Sequence, residues 1–162
     1  MVVSLNIFED ALFAAIAAIG FSSISNTPRR TYAACALAAA TGHAVRFLLM
    51  SAEWFNMHII PASAIAAFVV GMIAVALAPR IKCPAEVCLF PALLPMIPGM
   101  YAYHTIEALL LCIGHNGEDE FVHYMYLLFY NGFTCAFIVL CMAVGANIPI
   151  FMFKKISFQA TR

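Results

Sequence analysis

The chain has 162 residues, of which 65% are hydrophobic and only 10% are charged. Its mean hydropathy is +0.96. These values exclude an ordinary water-soluble globular protein, in which about 25% of residues are charged. The formal net charge is zero, and no basic patch of the kind that binds nucleic acid is present. Composition therefore favours a membrane protein with no nucleic-acid partner.

Five segments meet or approach the length of about 20 apolar residues that a helix needs to cross the hydrocarbon core. The connections between them are short, so we expect residues 1–162 to form one all-α domain, a polytopic membrane protein with five transmembrane helices. The predicted spans cover residues 7–25, 32–52, 58–79, 85–113 and 121–153.

Among the first three segments, the third is the plainest membrane span. Acids (Glu9 and Asp10) rather than basic residues precede the first apolar run, so we expect no cleaved signal peptide. The second segment, 32–52, is rich in alanine. Small residues allow helix backbones to approach closely in lipid, which predicts that this helix is central in the bundle.

The fourth segment contains several helix-breaking residues: Pro91, Pro95, Pro98 and Gly99. Each interior proline removes a backbone hydrogen bond and clashes with the preceding turn. We therefore predict a helix that breaks between Pro95 and Gly99, with one half ending near Leu94 and the second beginning near Gly99, where Pro98 suits the first helical position. Free amide groups at membrane depth must face protein or a water-filled cavity, and the amino end of a half-helix attracts an anionic group. The alternative is a proline-kinked structural helix.

Basic residues occur in alternate loops. Seven of the eight lie in loops or at the carboxyl end: Arg29, Arg30, Arg80, Lys82, Lys154, Lys155 and Arg162. The positive-inside rule then places the amino end outside and the carboxyl end in the cytoplasm, as expected of a multi-pass protein of the cell (inner) membrane.

The eighth cation, Arg46, lies inside the second segment, three residues after His43. Both share one helix face. Glu107 in the fourth segment has similar depth and opposite charge, so we predict that Arg46 and Glu107 lie close together and form a proton or charge relay with His43. The alternatives are an arginine that extends to the membrane interface and a neutral core histidine.

Further polar candidates lie beside the break or in the last segment. Tyr101 and Tyr103 follow the break, together with His104, and could contact a ligand. Asn131 lies inside the fifth segment, where a helix-to-helix hydrogen bond is an alternative role. The six cysteines show no CxxC spacing, and the acidic loop 115–123 matches no metal-site template, so we expect no metal and no cofactor.

Three stretches resemble the threonine/serine exporter family, in particular the small membrane subunit of its split, two-component form. They are NTPRRTYAACALAAATGHAVRFLLM, PALLPMIPGMYAY and NGFTCAFIVLCMAVGANIPIFMFKK. The specific parts are the elements Gly42-His43-x-x-Arg46 and Pro95-Met96-x-Pro98-Gly99-x-x-x-Tyr103.

This resemblance implies a transporter of roughly ten crossings built from two inverted halves. The partner would be a larger membrane subunit with a cytoplasmic amino-terminal domain. The substrate would be threonine, serine or a small dicarboxylate such as succinate, and the chain would not be an enzyme. Carried over by position, the contributing residues are His43, Arg46, Pro95, Pro98, Gly99, Tyr103 and Asn131. Glu107 departs from the family pattern.

The leading hypothesis is therefore a membrane subunit of a secondary exporter that binds a small carboxylate-bearing metabolite at the broken helix. An assembly or scaffold subunit, whose partner carries the substrate site, is the alternative. A membrane enzyme using His43, His104 and Glu107 lacks a recognisable nucleophile or metal arrangement and is disfavoured.

Overall fold

The computed structural model describes residues 6–51, 55–114 and 117–155, which are helical throughout apart from short turns. Three parts of the sequence predictions lie outside the described residues. They are residue 52 at the end of the second predicted span, His115 in the acidic loop, and Arg162. The helices are α1 (Ile7–Ile24), α2 (Tyr32–Met50), α3 (Ile59–Ile81), α4 (Ala85–Leu93), α5 (Gly99–Gly114) and α6 (Glu118–Met152).

The described helices are long and apolar enough for four membrane spans, or for five if a broken pair is counted as one span. The single candidates are α1, α2 with the 3₁₀ turn before it, α3 and α6. The broken pair comprises α4, with its following 3₁₀ turn, and α5. The predicted all-α membrane fold is confirmed, and five spans is the upper of the two counts.

The chain divides into two compact units. The first unit comprises Met1–Met96 with Cys141–Arg162, and the second comprises Ile97–Leu140. In the first unit, α2 packs against α1, α3 and α4, which confirms the predicted central place of the alanine-rich helix. Its buried face consists largely of small residues: Ala34, Cys35, Ala38, Ala39, Gly42 and His43.

Glycines set the closest helix approaches within this first unit. A Cβ at Gly71 of α3 would lie 2.6 Å from the Ala146 carbonyl oxygen of α6, and a Cβ at Gly145 would overlap the Ala64 carbonyl oxygen. Side chains at these positions would force the helices apart. The close backbone packing of α3 with the carboxyl end of α6 is the kind that small residues permit in membranes.

The two helix ends rich in basic residues also meet in the first unit. Arg30, in the turn before α2, donates a hydrogen bond to the Lys82 carbonyl oxygen at the end of α3, with a nitrogen–oxygen distance of 3.0 Å. Lys82 adopts a left-handed backbone conformation there, with φ of 50°. Two of the predicted cytoplasmic loops are thus bonded to each other at one end of the bundle.

The break in the fourth predicted span is present where the prolines predict it. Helix α4 ends at Leu93, a 3₁₀ turn covers Leu94–Met96, and α5 begins at Gly99. The position of Pro98 differs by one residue from the prediction. Its carbonyl oxygen accepts from the Ala102 amide at 3.2 Å, so Pro98 precedes the helix as its cap residue, and Gly99 takes the first helical position.

Candidate functional site

Arg46 binds the broken segment directly. Its Nη1 donates to the Met96 carbonyl oxygen at 3.0 Å, and the arginine is partly buried. Met96 is the last residue of the 3₁₀ turn, where the α-helical hydrogen-bond ladder has stopped. A charged donor at such a carbonyl satisfies a backbone group that lipid could not. This contact favours a guanidinium held inside the protein over one that extends to the interface.

His43 makes its polar contact with an acid on the neighbouring helix. The His43 Nδ1 atom lies 3.2 Å from Asp10 Oδ2, where α1 begins, and the side chain of His43 is 7% exposed. Arg46 Nη2 lies 3.5 Å from the same nitrogen. Because a carboxylate has only acceptors, the shorter contact requires the proton on Nδ1, and the arginine contact is then one of packing.

With Nδ1 protonated, the second ring nitrogen of His43 is an acceptor. This Nε2 is fully buried and has no hydrogen-bond partner among the described residues. Buried polar atoms are nearly always paired, so an orphaned one indicates a group that a proton or a ligand donor can satisfy. The orphaned nitrogen lies on the same side chain that contacts Asp10.

Gly42 brings this polar group against the break. A Cβ at this position would overlap Val70 Cγ2 of α3 and would lie 3.3 Å from Met96 Sδ. The absence of a side chain therefore lets α2 contact both α3 and the 3₁₀ turn. Asp10, His43, Arg46 and the Met96 carbonyl therefore lie side by side, with hydrogen bonds at both ends and the His43–Arg46 packing contact between them; we call this group the break cluster.

Asp10 is the member of the break cluster that sequence reasoning missed as a site residue. Its charge entered only the expectation that no signal peptide is cleaved. Asp10 and His43 lie 17 and 16 residues on either side of Thr27 in the turn between α1 and α2. In an antiparallel helix pair, such positions have nearly the same depth, and this signal could have identified the contact.

The residues predicted at the start of α5 lie in the second unit. Apart from its chain neighbours and the backbone of its own helix, no described atom comes within 4 Å of a Cβ built at Gly99, so there is space beside the backbone there. Tyr103 is 59% exposed, and the Tyr101 carbonyl accepts from Thr105 Oγ1 at 2.6 Å. Pro95 lies in the 3₁₀ turn of the first unit.

Glu107 and Asn131, also predicted, belong to the second unit. His104 Nδ1 lies 3.0 Å from Glu107 Oε2, and both side chains are 46% exposed. Asn131 Nδ2 donates to the Leu127 carbonyl oxygen one turn earlier, at 2.9 Å. Because Arg46 lies in the first unit, the Arg46–Glu107 pair stays a prediction. The structure gives each side chain a partner within its own unit.

Comparison with known proteins agrees with the family resemblance noted in the sequence. The family profile described as "Threonine/Serine exporter, ThrE" matches residues 10–152. An uncharacterised protein of Haemophilus influenzae is 32% identical over 151 residues, which cover 93% of this chain and 49% of the relative. The chain thus spans about half the length of that relative. No solved structure matches. Because the family profile covers most of the chain, including the break cluster from Asp10 onward, this protein belongs to the threonine/serine exporter family.

Proposed function

We propose that this chain is one half of a secondary exporter of the inner membrane, and that it binds a small carboxylate-bearing metabolite at the broken helix. The substrate is threonine, serine or a succinate-like dicarboxylate. The observation that carries the proposal is the break cluster, in which a guanidinium is held on the last carbonyl before the break. Family membership supports membrane transport as the activity.

The break offers complementary groups for a carboxylate. The first amides of a helix have no intrahelical acceptor, and the helix dipole adds partial positive charge at that end. Gly99 leaves the backbone at the start of α5 open. Arg46 adds a full positive charge that can bind a carboxylate through two parallel hydrogen bonds. These groups suit substrates that share a carboxylate and differ elsewhere.

The break cluster also suits coupling to protons. The buried Nε2 of His43 is an acceptor without a partner, and Asp10 on the opposite nitrogen would stabilise the ring when that acceptor takes a proton. Histidine is the side chain whose charge changes most readily near neutral pH. Protonation beside Arg46 would place two cations together, so proton binding and the hold of Arg46 on the break would be linked.

A second half completes the proposal. The chain covers only 49% of its relative from Haemophilus influenzae, which leaves room in that protein for a domain of equal size. We expect a larger membrane subunit with a cytoplasmic amino-terminal domain to supply the corresponding half here. An odd number of crossings in each half would give inverted repeats that bind substrate at their interface.

The test is efflux from cells that express this chain together with its partner subunit. Arg46→Ala should reduce export of labelled serine, threonine or succinate by about 10- to 100-fold, as expected for the loss of a charged hydrogen-bonding group. Arg80→Ala is the matched control, because Arg80 is exposed near the end of α3. Unchanged export with Arg46→Ala would contradict the site. Loss of partner binding without loss of transport in the remaining complex would favour the scaffold alternative.

A further inference from the structure

A polar cavity lies in the second unit, between α5 and α6. Its volume is about 270 Å³, near the lower end of the range for ligand pockets. The two helices approach closely at Gly132, where a Cβ would lie 3.4 Å from Thr105 Cγ2. They meet again where the Cys112 thiol donates to the Phe121 carbonyl oxygen at 4.0 Å. The lining residues lie around and between these two contacts: His104, Glu107, Ala108, Leu111, Leu127 and Asn131. We call this cavity the α5–α6 pocket.

The polar groups of this pocket have acceptor atoms that the second unit does not use. His104 Nδ1 lies 3.0 Å from Glu107 Oε2, and the described residues give the second carboxylate oxygen no hydrogen-bond partner. The amide nitrogen of Asn131 donates to the Leu127 carbonyl oxygen, so its side-chain oxygen can accept a further hydrogen bond. Two acceptors on facing helices are therefore open to a donor from outside the pocket.

The second unit has no lysine or arginine that could pair with Glu107. Its residues, Ile97–Leu140, include four acids and neither of these cations. Glu107 lies in the middle of α5, and its side chain is 46% exposed. Ionisable residues within membrane segments face a cavity or pair with an opposite charge, because exposure of a charge to hydrocarbon is costly. A neutral His104 orients the carboxylate but does not offset its charge.

The described cations of the first unit are already placed elsewhere. They lie in turns or at helix ends apart from Arg46, and Arg46 donates to the Met96 carbonyl oxygen. The chain spans about half the length of its relative from Haemophilus influenzae, which leaves a second half as a source of charge.

The surface around Glu107 suits a partner inside the membrane. Tyr103 and Leu110, one helical turn to either side of Glu107, are both exposed. They give the carboxylate a largely apolar rim. At protein interfaces, such a rim keeps water away from the polar group at the centre.

We propose that the α5–α6 pocket binds a lysine or arginine side chain from a membrane helix of the second half of the transporter. This inference rests on the proposed function, which supplies that half, and adds the surface and the charge that join the two. Both side chains carry N–H donors and no acceptor, which matches the open acceptors of Glu107 and Asn131. His104 is a positioning residue that orients the carboxylate through its Nδ1.

Recovery of the partner subunit tests the proposal without a transport measurement. The chain carries an affinity tag, is co-expressed with the larger membrane subunit and is purified in a mild detergent. Glu107→Gln should reduce the partner recovered with the chain by about tenfold or more, because it leaves a buried cation without its counter-charge. Glu107→Asp keeps the charge and should recover most of the partner. Glu86→Gln, at an exposed acid in the first turn of α4, is the matched control.

Charge reversal identifies the residue of the partner. Glu107→Lys should abolish recovery of the partner, and replacing one membrane lysine or arginine of the partner by glutamate should restore it. Such a rescue also shows that the Glu107→Lys chain folds. A loss that no substitution in the partner restores would overturn the proposal. Rescue by Arg46→Glu within this chain would overturn it as well, because the cation would then be internal.

Two further results would contradict the pocket. Unchanged recovery with Glu107→Gln would mean that the carboxylate is protonated or paired with a lipid ammonium group. His104→Gln keeps a side-chain donor but cannot take up a proton, so it should restore the recovery that His104→Leu loses. A loss with His104→Gln equal to that with Glu107→Gln would make a protonated His104 the counter-charge, and no cation of the partner would be needed.

Failure of the proposed function gives a different result. A wild-type complex that forms but exports none of serine, threonine and succinate would contradict the exporter, and the recovery series would still decide the pocket. Export that persists while Glu107→Gln recovers the full amount of partner would overturn the pocket alone. A wild-type chain that recovers no partner would overturn both.

Discussion

At the scale of single residues, the break cluster explains why a membrane helix contains both a histidine and an arginine. His43 contacts Asp10 at 3.2 Å, and Arg46 contacts the Met96 carbonyl at 3.0 Å. Each of these two side chains therefore has a polar partner on another part of the first unit, and only Nε2 of His43 lacks one among the described residues of the cluster. An acid, a neutral histidine ring and a cation thus lie in a row, and the cation contacts the last carbonyl before the break.

A variant that removes only the charge of Asp10 tests whether this residue acts in transport, beyond its place in the first turn of α1. Asp10→Asn keeps a hydrogen-bond acceptor for His43 but removes the charge, so transport should fall by about tenfold, with little change in thermal stability because Asp10 is partly exposed. The neighbouring Glu9→Gln is the control, since Glu9 contacts only the amide of Asn6 among the described residues. Equal effects of both variants on efflux would contradict a specific role for Asp10.

At the scale of helices, sequence predicts the break well and the packing around it poorly. Prolines and glycine act through their own backbone geometry, so the end of α4 and the start of α5 follow from Pro91 to Gly99 within a residue or two. The close approach of Val70 and Met96 to Gly42 depends on the packing of α2, α3 and the 3₁₀ turn. From the sequence, a single glycine in a helix does not indicate which residues pack against it. The same reason explains why Asp10 was missed.

Gly99 allows a test of the break as a binding element. A Cβ there meets no described atom beyond its chain neighbours and its own helix backbone, and alanine is a better helix former than glycine, so Gly99→Ala should fold with unchanged or slightly higher thermal stability. If a ligand approaches the backbone at this point, transport should nevertheless decrease severalfold. Gly20→Ala in α1 is the matched control because it is equally open. Efflux that is identical in the two variants would argue against ligand contact at the break.

At the scale of the whole molecule, charge distribution predicts orientation more directly than any single contact does. The basic residues at Arg30 and Lys82 meet at one end of the first unit, and three acids begin α6. Orientation in the membrane and the identity of the second half are properties of a larger assembly, so the fold of one chain does not contain them. They stay predictions of the positive-inside rule and of family resemblance.

Reporter fusions test this orientation. Green fluorescent protein joined after Arg162 should fluoresce, because the carboxyl end is predicted to be cytoplasmic, whereas alkaline phosphatase at the same point should be inactive. The same reporters joined after Gly114 should give the reverse pattern, since that end of α5 is predicted to be outside. Whole-cell fluorescence and phosphatase assays read both, and a reversed pattern at both points would invert the proposed topology.

The length of α6 has a consequence for Glu107. Its 35 residues make a helix of about 52 Å, whereas the hydrocarbon layer is about 30 Å thick. Because Glu118, Asp119 and Glu120 occupy its first turn, we expect part of the surplus length to extend among the lipid headgroups, which would place the adjoining end of α5 near the same surface. Bilayer thickness would then set the water exposure of the Glu107 carboxylate. Thin bilayers of short-chain lipids would place the carboxylate closer to the headgroups, and thick bilayers would place it deeper in the hydrocarbon layer.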